Sequence, residues 1–227
     1  MHKLTIFDIM GPVMVGPSSS HTAGACRIGL IARKLLGAPP ARAELLLHGS
    51  FAATGSGHGT DRALVAGLLG MGPDDPRIPG AFALAAEAGL AFQFGKTVLR
   101  DAHPNTVLLR LWAGDGRTLE VVASSLGGGR VKVCAVDGLE ASFTGDYPTL
   151  IVRNEDRPGQ VAEVANILSR RQVNIATMKL YRNMRGGLAI MVIESDQAIW
   201  REAVEELRAC PGIVGVTYLD MRAGEEG

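Results

Sequence analysis

The sequence predicts an α+β chain in two parts. A mixed helix and antiparallel-sheet domain is expected over residues 1–147, followed by a βαββαβ domain over residues 148–227. Three observations predict this. Apolar residues in the first ninety positions recur at helical spacing. From Ala91 the period shortens to that of strands, with turn residues between them. Near Gly145-Asp146-Tyr147-Pro148 the pattern restarts and runs through strand, helix, two strands, helix and strand.

In the front part, Leu4–Met14 mixes apolar residues with a Gly-Pro break and is expected to dock on the domain body. Ile28, Ile31, Leu35 and Leu36 define a helix over about 22–37, ended by Gly37 and blocked by Pro39-Pro40. It opens on Gly16-Pro17-Ser18-Ser19-Ser20-His21-Thr22-Ala23-Gly24, where Ser19 or Ser20 suits an N-cap. Leu45, Leu46 and Leu47 mark a buried strand over 43–47. A second polar, glycine-dense run, His48 to Asp61, leads into the helical pattern Leu64, Val65, Leu68 and Leu69. After a turn-rich loop and a short helix over 81–87, strands are expected near 91–99, 105–113, 117–125, 130–136 and 139–145 as an antiparallel meander. Asp137-Gly138 is the strongest hairpin signal in it.

In the rear part, Thr149–Arg153 reads as a strand and Asn154–Gly159 as a turn, with Pro158 suited to a helix start. Val161, Val164, Ala165 and Leu168 form a helical stripe. Strands at 173–181 and 188–194, a helix at 197–208 and a strand at 213–219 complete the order. Two helices on one face of a four-stranded antiparallel sheet is the ferredoxin-like arrangement.

Composition narrows the function classes. Lys+Arg 23 balance Asp+Glu 23, and aromatics are 5%, so neither charge nor base stacking argues for nucleic acid. The stretch Met1–Val15 carries Lys3 and Asp8 and no cleavage-site pattern, and no apolar run is long enough to span a bilayer. A cytoplasmic protein with no membrane partner is the expectation. Cys26, Cys134 and Cys210 are scattered, so they read as small hydrophobes rather than a disulfide framework, a zinc site or a complete iron–sulfur site. No metal ligand set is expected on this chain.

The chemistry sits in the two glycine-dense runs. Each places a histidine, His21 or His58, among hydroxyls immediately before a helix. Free amides and the positive end of a helix dipole suit a small carboxylate there. Two imidazoles tuned near neutral pH are available for proton transfer. His48 and His103 read as structural. Gly55–Thr60 lacks the Lys-Ser/Thr ending of a phosphate-binding loop and the spacing of a dinucleotide site. Gly16–Ser20 is not a nucleophile elbow, and a Ser20/His58/Asp61 triad rests on sequence proximity alone.

Gly16–Gly24 followed by Thr54–Asp61 resembles the beta chain of iron–sulfur-dependent L-serine dehydratase (L-serine ammonia-lyase). Asn154-Glu155-Asp156-Arg157-Pro158-Gly159 with Val173-Asn174-Ile175 resembles an ACT domain, the regulatory module of amino-acid enzymes. The resemblance implies β-elimination of L-serine to pyruvate and ammonia. It also implies a [4Fe-4S] cluster as Lewis acid, with its cysteine ligands on a separate alpha chain, the partner of this one. Ser18, Ser19, Ser20 and Thr22 would bind substrate with His21, while His58, Thr60 and Asp61 join His21 in the catalytic cleft, His58 moving the proton. An amino-acid effector would bind at an ACT dimer interface through Asp156, Gly159, Asn174 and Ile175. A non-catalytic regulatory module, like that of some phosphoglycerate dehydrogenases, is the rival reading, and a Ser-His hydrolase comes third.

Overall fold

A computed structural model describes residues 14–55 and 57–221. The expected docking of Leu4–Met14 therefore falls, Met14 apart, outside the described residues, as does Ser56. The chain divides into two compact units, Met1–Lys132 and Val133–Gly227.

The first unit opens with a π-helical turn, Ser19–Gly24, that runs into α1, Ala25–Leu36. Its N-cap is Ser18, one or two residues before the position expected from the sequence. The carbonyl of Ser18 accepts from the amides of both Thr22 and Ala23, at 2.9 and 3.3 Å, and this wider turn carries the helix back over the serines. Then follow β1 (Pro40–His48), α2 (Gly49–Thr54), α3 (Thr60–Leu68), α4 (Ala81–Glu87), β2 (Ala91–Lys96), β3 (Asn105–Ala113) and β4 (Thr118–Gly127). The strand order is β2-β1-β3-β4.

One element departs from the expected meander. β2 lies on the far side of β1 and runs parallel to it, with Arg42 opposite Ala91, whereas β1–β3 and β3–β4 are antiparallel. The connection from β1 to β2 carries three helices, which is the crossover that parallel neighbours need. Alternation along the strands turns Ala43, Leu45, Val107, Leu109, Leu111, Val121 and Ala123 inward, where α1 and α3 add Ile28, Ile31, Leu64 and Leu68, all buried.

α1 and α3 cross in backbone contact. A Cβ on Gly29 would stand 2.3 Å from the Leu64 carbonyl oxygen, and one on Gly67 would stand 2.0 Å from that of Cys26. No side chain fits between the two helices at this point. The crossing sets Cys26, at the start of α1, against Gly67, at the end of α3.

The second unit takes in most of β5 (Arg130–Val136), β6 (Leu139–Phe143) and the predicted βαββαβ run. Asp137 and Gly138 both have positive φ, +49° and +76°, the primed turn the sequence called for. The run is β7 (Thr149–Glu155), α5 (Gln160–Arg170), β8 (Ile175–Arg182), β9 (Leu188–Ser195), α6 (Arg201–Arg208) and β10 (Ile213–Leu219). Its sheet order is β10-β7-β9-β8, antiparallel throughout. Leu150, Val152, Met191 and Ile193 form its core with Val164, Ile167 and Leu168 of α5 and Ala203, Val204 and Leu207 of α6. This is the ferredoxin-like arrangement predicted. α6 starts four residues later than expected because side chains hold the preceding segment open. The Ser195 hydroxyl donates to the Gln197 carbonyl at 2.8 Å, and the Ile199 amide donates to the Tyr218 hydroxyl at 3.1 Å. Among the described residues, no helix is long and apolar enough to cross a membrane.

Candidate functional site

Three backbone segments of the first unit converge: the π turn, α2 with the loop to α3, and the β4–β5 turn. The Ser18 Oγ accepts from the His21 amide at 3.1 Å, and the Ser19 Oγ accepts from the Gly128 amide at 3.3 Å. Gly127, Gly128 and Gly129 all have positive φ, which lets this turn lie against the serines. Ser20 faces Gly127, its Oγ 3.6 Å from where a Cβ would be. Thr22 is buried and donates to the His58 carbonyl at 3.2 Å, tying the first loop to the second.

The two histidines meet. Their ring centroids are 5.2 Å apart with the planes tilted by 42°. Phe51 of α2 stands edge-on to His21 at 5.4 Å. The Nε2 of His21 lies 3.1 Å from the Thr54 Oγ1 and 3.2 Å from the Ser50 Oγ. Burial, and then the neighbouring His58, lower the His21 pKa from the usual 6.5, so its neutral form is favoured. His58 is exposed, and its ring makes no hydrogen bond among the described residues.

The remaining candidates are placed differently. Thr60 begins α3 fully buried, its hydroxyl without a partner among the described residues. The Asp61 carboxylate accepts from the Arg62 amide at 2.8 Å. Among the described residues, no hydrogen bond joins Ser20, His58 and Asp61 into a triad. No site role was expected from the sequence for Ser50, for Thr54 or for the Gly127–Gly129 turn. The first two lay inside a run read as loop, where a short helix forms, and the turn is brought in by sheet pairing that no local pattern encodes.

In the second unit the positions suggested for an effector are separated. The Asp156 carboxylate accepts from the Gly186 amide at 2.9 Å and from Arg182 at 3.1 Å. The Gly186 amide, more than the Arg182 guanidinium, holds it below the usual carboxylate range. Asn174 donates to Asp196, beyond the opposite end of β8. Asn174 and Ile175 line a groove of about 390 Å³ along α5, with Ala165, Ser169, Gln172 and Val173. Gly159 caps α5 with φ +93° and open space where a Cβ would be. β8 is eight residues long, so Asp156 and Asn174 are roughly 25 Å apart along it.

The thiols do not fit an iron–sulfur cluster held by this chain alone. Cys26 is buried, donates to the Met71 carbonyl at 3.3 Å, and is pushed up to about 12 by burial and the nearby Asp75 and Asp74. Cys134 and Cys210 are half-buried, and the Cys210 thiol donates to the Glu206 carbonyl at 3.3 Å. Among the described residues, no group of three or more His, Cys, Asp or Glu side chains could hold a metal ion.

Comparison with known proteins gives two family matches, the serine dehydratase beta chain over residues 5–89 and the ACT domain over residues 148–212. The chain is 41% identical over 219 residues to a probable L-serine dehydratase beta chain of Bacillus subtilis, covering 96% of this chain and 99% of that one. It is 40% identical over 200 residues to the L-serine dehydratase beta chain of Peptoniphilus asaccharolyticus, covering 88% and 90%. A D-3-phosphoglycerate dehydrogenase of Bacillus subtilis is 28% identical over 169 residues, 70% of this chain but 30% of that one.

Proposed function

Because the chain belongs to the L-serine dehydratase beta-chain family and carries an ACT domain, we propose that it is the beta subunit of an L-serine ammonia-lyase. The reaction is β-elimination: serine loses its Cα proton and its hydroxyl as water, and the resulting aminoacrylate hydrolyses to pyruvate and ammonia. One observation carries the reading. Two histidines from separate glycine-rich loops face each other at 5.2 Å, beside serines whose oxygens are already positioned by amides.

The roles follow from which protons are spent. The Ser18 and Ser19 oxygens accept within the chain, and their own protons have no acceptor among the described residues. They are donors for the substrate carboxylate, with Ser20 beside them. Thr22 has spent its proton on the His58 carbonyl and holds the two loops together. His58, exposed and unbonded at its ring, moves the proton. Thr60 and Asp61 set the first turn of α3 beneath it.

The thiols of this chain do not fit a [4Fe-4S] cluster, so an alpha chain would hold it, and when bound there it would supply a Lewis acid for the departing hydroxyl. In the rear domain an amino-acid effector takes Asp156 and Gly159 from one copy and Asn174 and Ile175 from a second, because one copy holds these positions at opposite ends of β8. The catalytic assignment is tested with His58→Gln in the pair reconstituted with its alpha chain. Turnover should fall about 10²- to 10⁴-fold, the worth of a positioned acid–base group; turnover at the wild-type rate removes His58 from the role.

A further inference from the structure

His21 is held by two hydroxyls of α2, those of Ser50 and Thr54. The Thr54 hydroxyl lies 2.9 Å from the carbonyl of Ser50, one turn earlier in α2, and 3.1 Å from the Nε2 of His21. A hydroxyl has one proton to give. A carbonyl can only accept, so the contact with Ser50 uses that proton. The contact with His21 is then satisfied only if Nε2 carries a hydrogen and donates to the Thr54 oxygen. The Ser50 Oγ, 3.2 Å from the same nitrogen, can share that hydrogen as a second acceptor. Its own proton then has no acceptor among the described residues.

We infer that Thr54 and Ser50 fix the polarity of His21: the ring is held as the Nε2–H tautomer, Nδ1 is left as a hydrogen-bond and proton acceptor, and Ser50 becomes a donor toward substrate. Thr54 is a positioning residue, acting through His21. Nδ1 makes no hydrogen bond among the described residues, which leaves it open to substrate. A neutral ring with its N–H spent cannot serve as a carboxylate donor. His21 therefore receives a proton or an N–H from the substrate, and the carboxylate falls to the hydroxyls of Ser18, Ser19 and Ser50. The lowered pKa of His21 agrees with a ring that stays neutral. The substrate half of this inference rests on the lyase reading above; the tautomer half does not.

The test is ¹⁵N nuclear magnetic resonance of the full chain labelled at histidine, with the His21 ring identified by its loss in His21→Gln. The expected spectrum shows Nε2 protonated and Nδ1 bare. The reverse pattern in the wild-type chain would overturn the inference. Thr54→Val should mix the two tautomers and Thr54→Ser should restore the single one; a tautomer unmoved by Thr54→Val removes Thr54 from the role. In the reconstituted pair, Thr54→Val should lower kcat/KM about tenfold with rescue by Thr54→Ser, the worth of one hydrogen bond. Ser50→Ala should raise KM about tenfold and lower kcat by a smaller factor. An unchanged KM overturns the donor role. If the wild-type pair makes no pyruvate, the lyase reading and the role of Ser50 fall together, while the ring signals still decide the polarity of His21.

Discussion

The two halves of this chain treat their chemistry-bearing loops in opposite ways. In the first unit, residues from separate loops are drawn together: His21 faces His58, and Thr22 bonds the His58 backbone. In the second, Asp156 and Asn174 are held apart by the length of β8. The cause is the packing beneath. Gly29 and Gly67 let α1 and α3 touch backbone to backbone, and the Thr22 bond to the His58 carbonyl ties the turn that opens α1 to the loop before α3. In the ferredoxin-like unit the loop before α5 and the loop before β8 lie at opposite ends of one sheet. The first unit gathers its candidate residues within one copy, whereas the second leaves Asp156 and Asn174 apart.

Adding a methyl group at the crossing is expected to break this contrast most severely. Gly67→Ala places a Cβ against the Cys26 carbonyl and has no flexible side chain to displace. We expect a loss of about 1–3 kcal/mol, the usual cost of overpacking, and a lower Tm by calorimetry. Pyruvate formation should fall with it. An unchanged Tm would mean that the helices do not cross where described.

The next effect sharpens the other side of the comparison. In calorimetric titration with L-serine, Asp156→Ala and Asn174→Ala should each abolish binding at the ACT unit. Mixing the two variants should recover part of it, because a mixed dimer rebuilds one intact interface. No recovery on mixing contradicts a site shared between copies. No heat with the wild-type chain removes L-serine as the effector.

The smallest effect is in pH dependence. The folded pKa of His21 lies below its ordinary 6.5, so below that pH the unfolded chain takes up the proton first. The stability linked to this ring is fully present above 6.5 and is lost as pH falls through the lowered folded value. Urea midpoints measured from pH 7 to 5 should therefore decline less steeply in His21→Gln. An identical slope would mean the ring titrates alike in both states.

The parts that were legible in the sequence were those with local causes. Gly37 at the end of α1, the Asp137-Gly138 turn and the apolar stripes of α3 and α5 each announce themselves within a few residues. The two histidine loops were found because hydroxyls, glycines and an imidazole before a helix form a recognisable pattern. What could not be read was set by distant partners. The parallel placement of β2 depends on a crossover, the Gly127–Gly129 turn reaches Ser19 through strand pairing, and the shift of the N-cap to Ser18 depends on a π turn. The helix that aims Ser50 and Thr54 at His21 was hidden because α2 has only six residues and a glycine-rich neighbour, too short for a periodic signal.

The central claim is that this chain carries half of a lyase site and needs a cluster-bearing partner to complete it. The most direct measurement is pyruvate formation from L-serine, assayed anaerobically, by this chain co-expressed with a serine dehydratase alpha chain and by each chain alone. The account predicts turnover in the pair and none in either chain by itself. A stable pair that binds amino acids without forming pyruvate would contradict it and leave the chain a regulatory module.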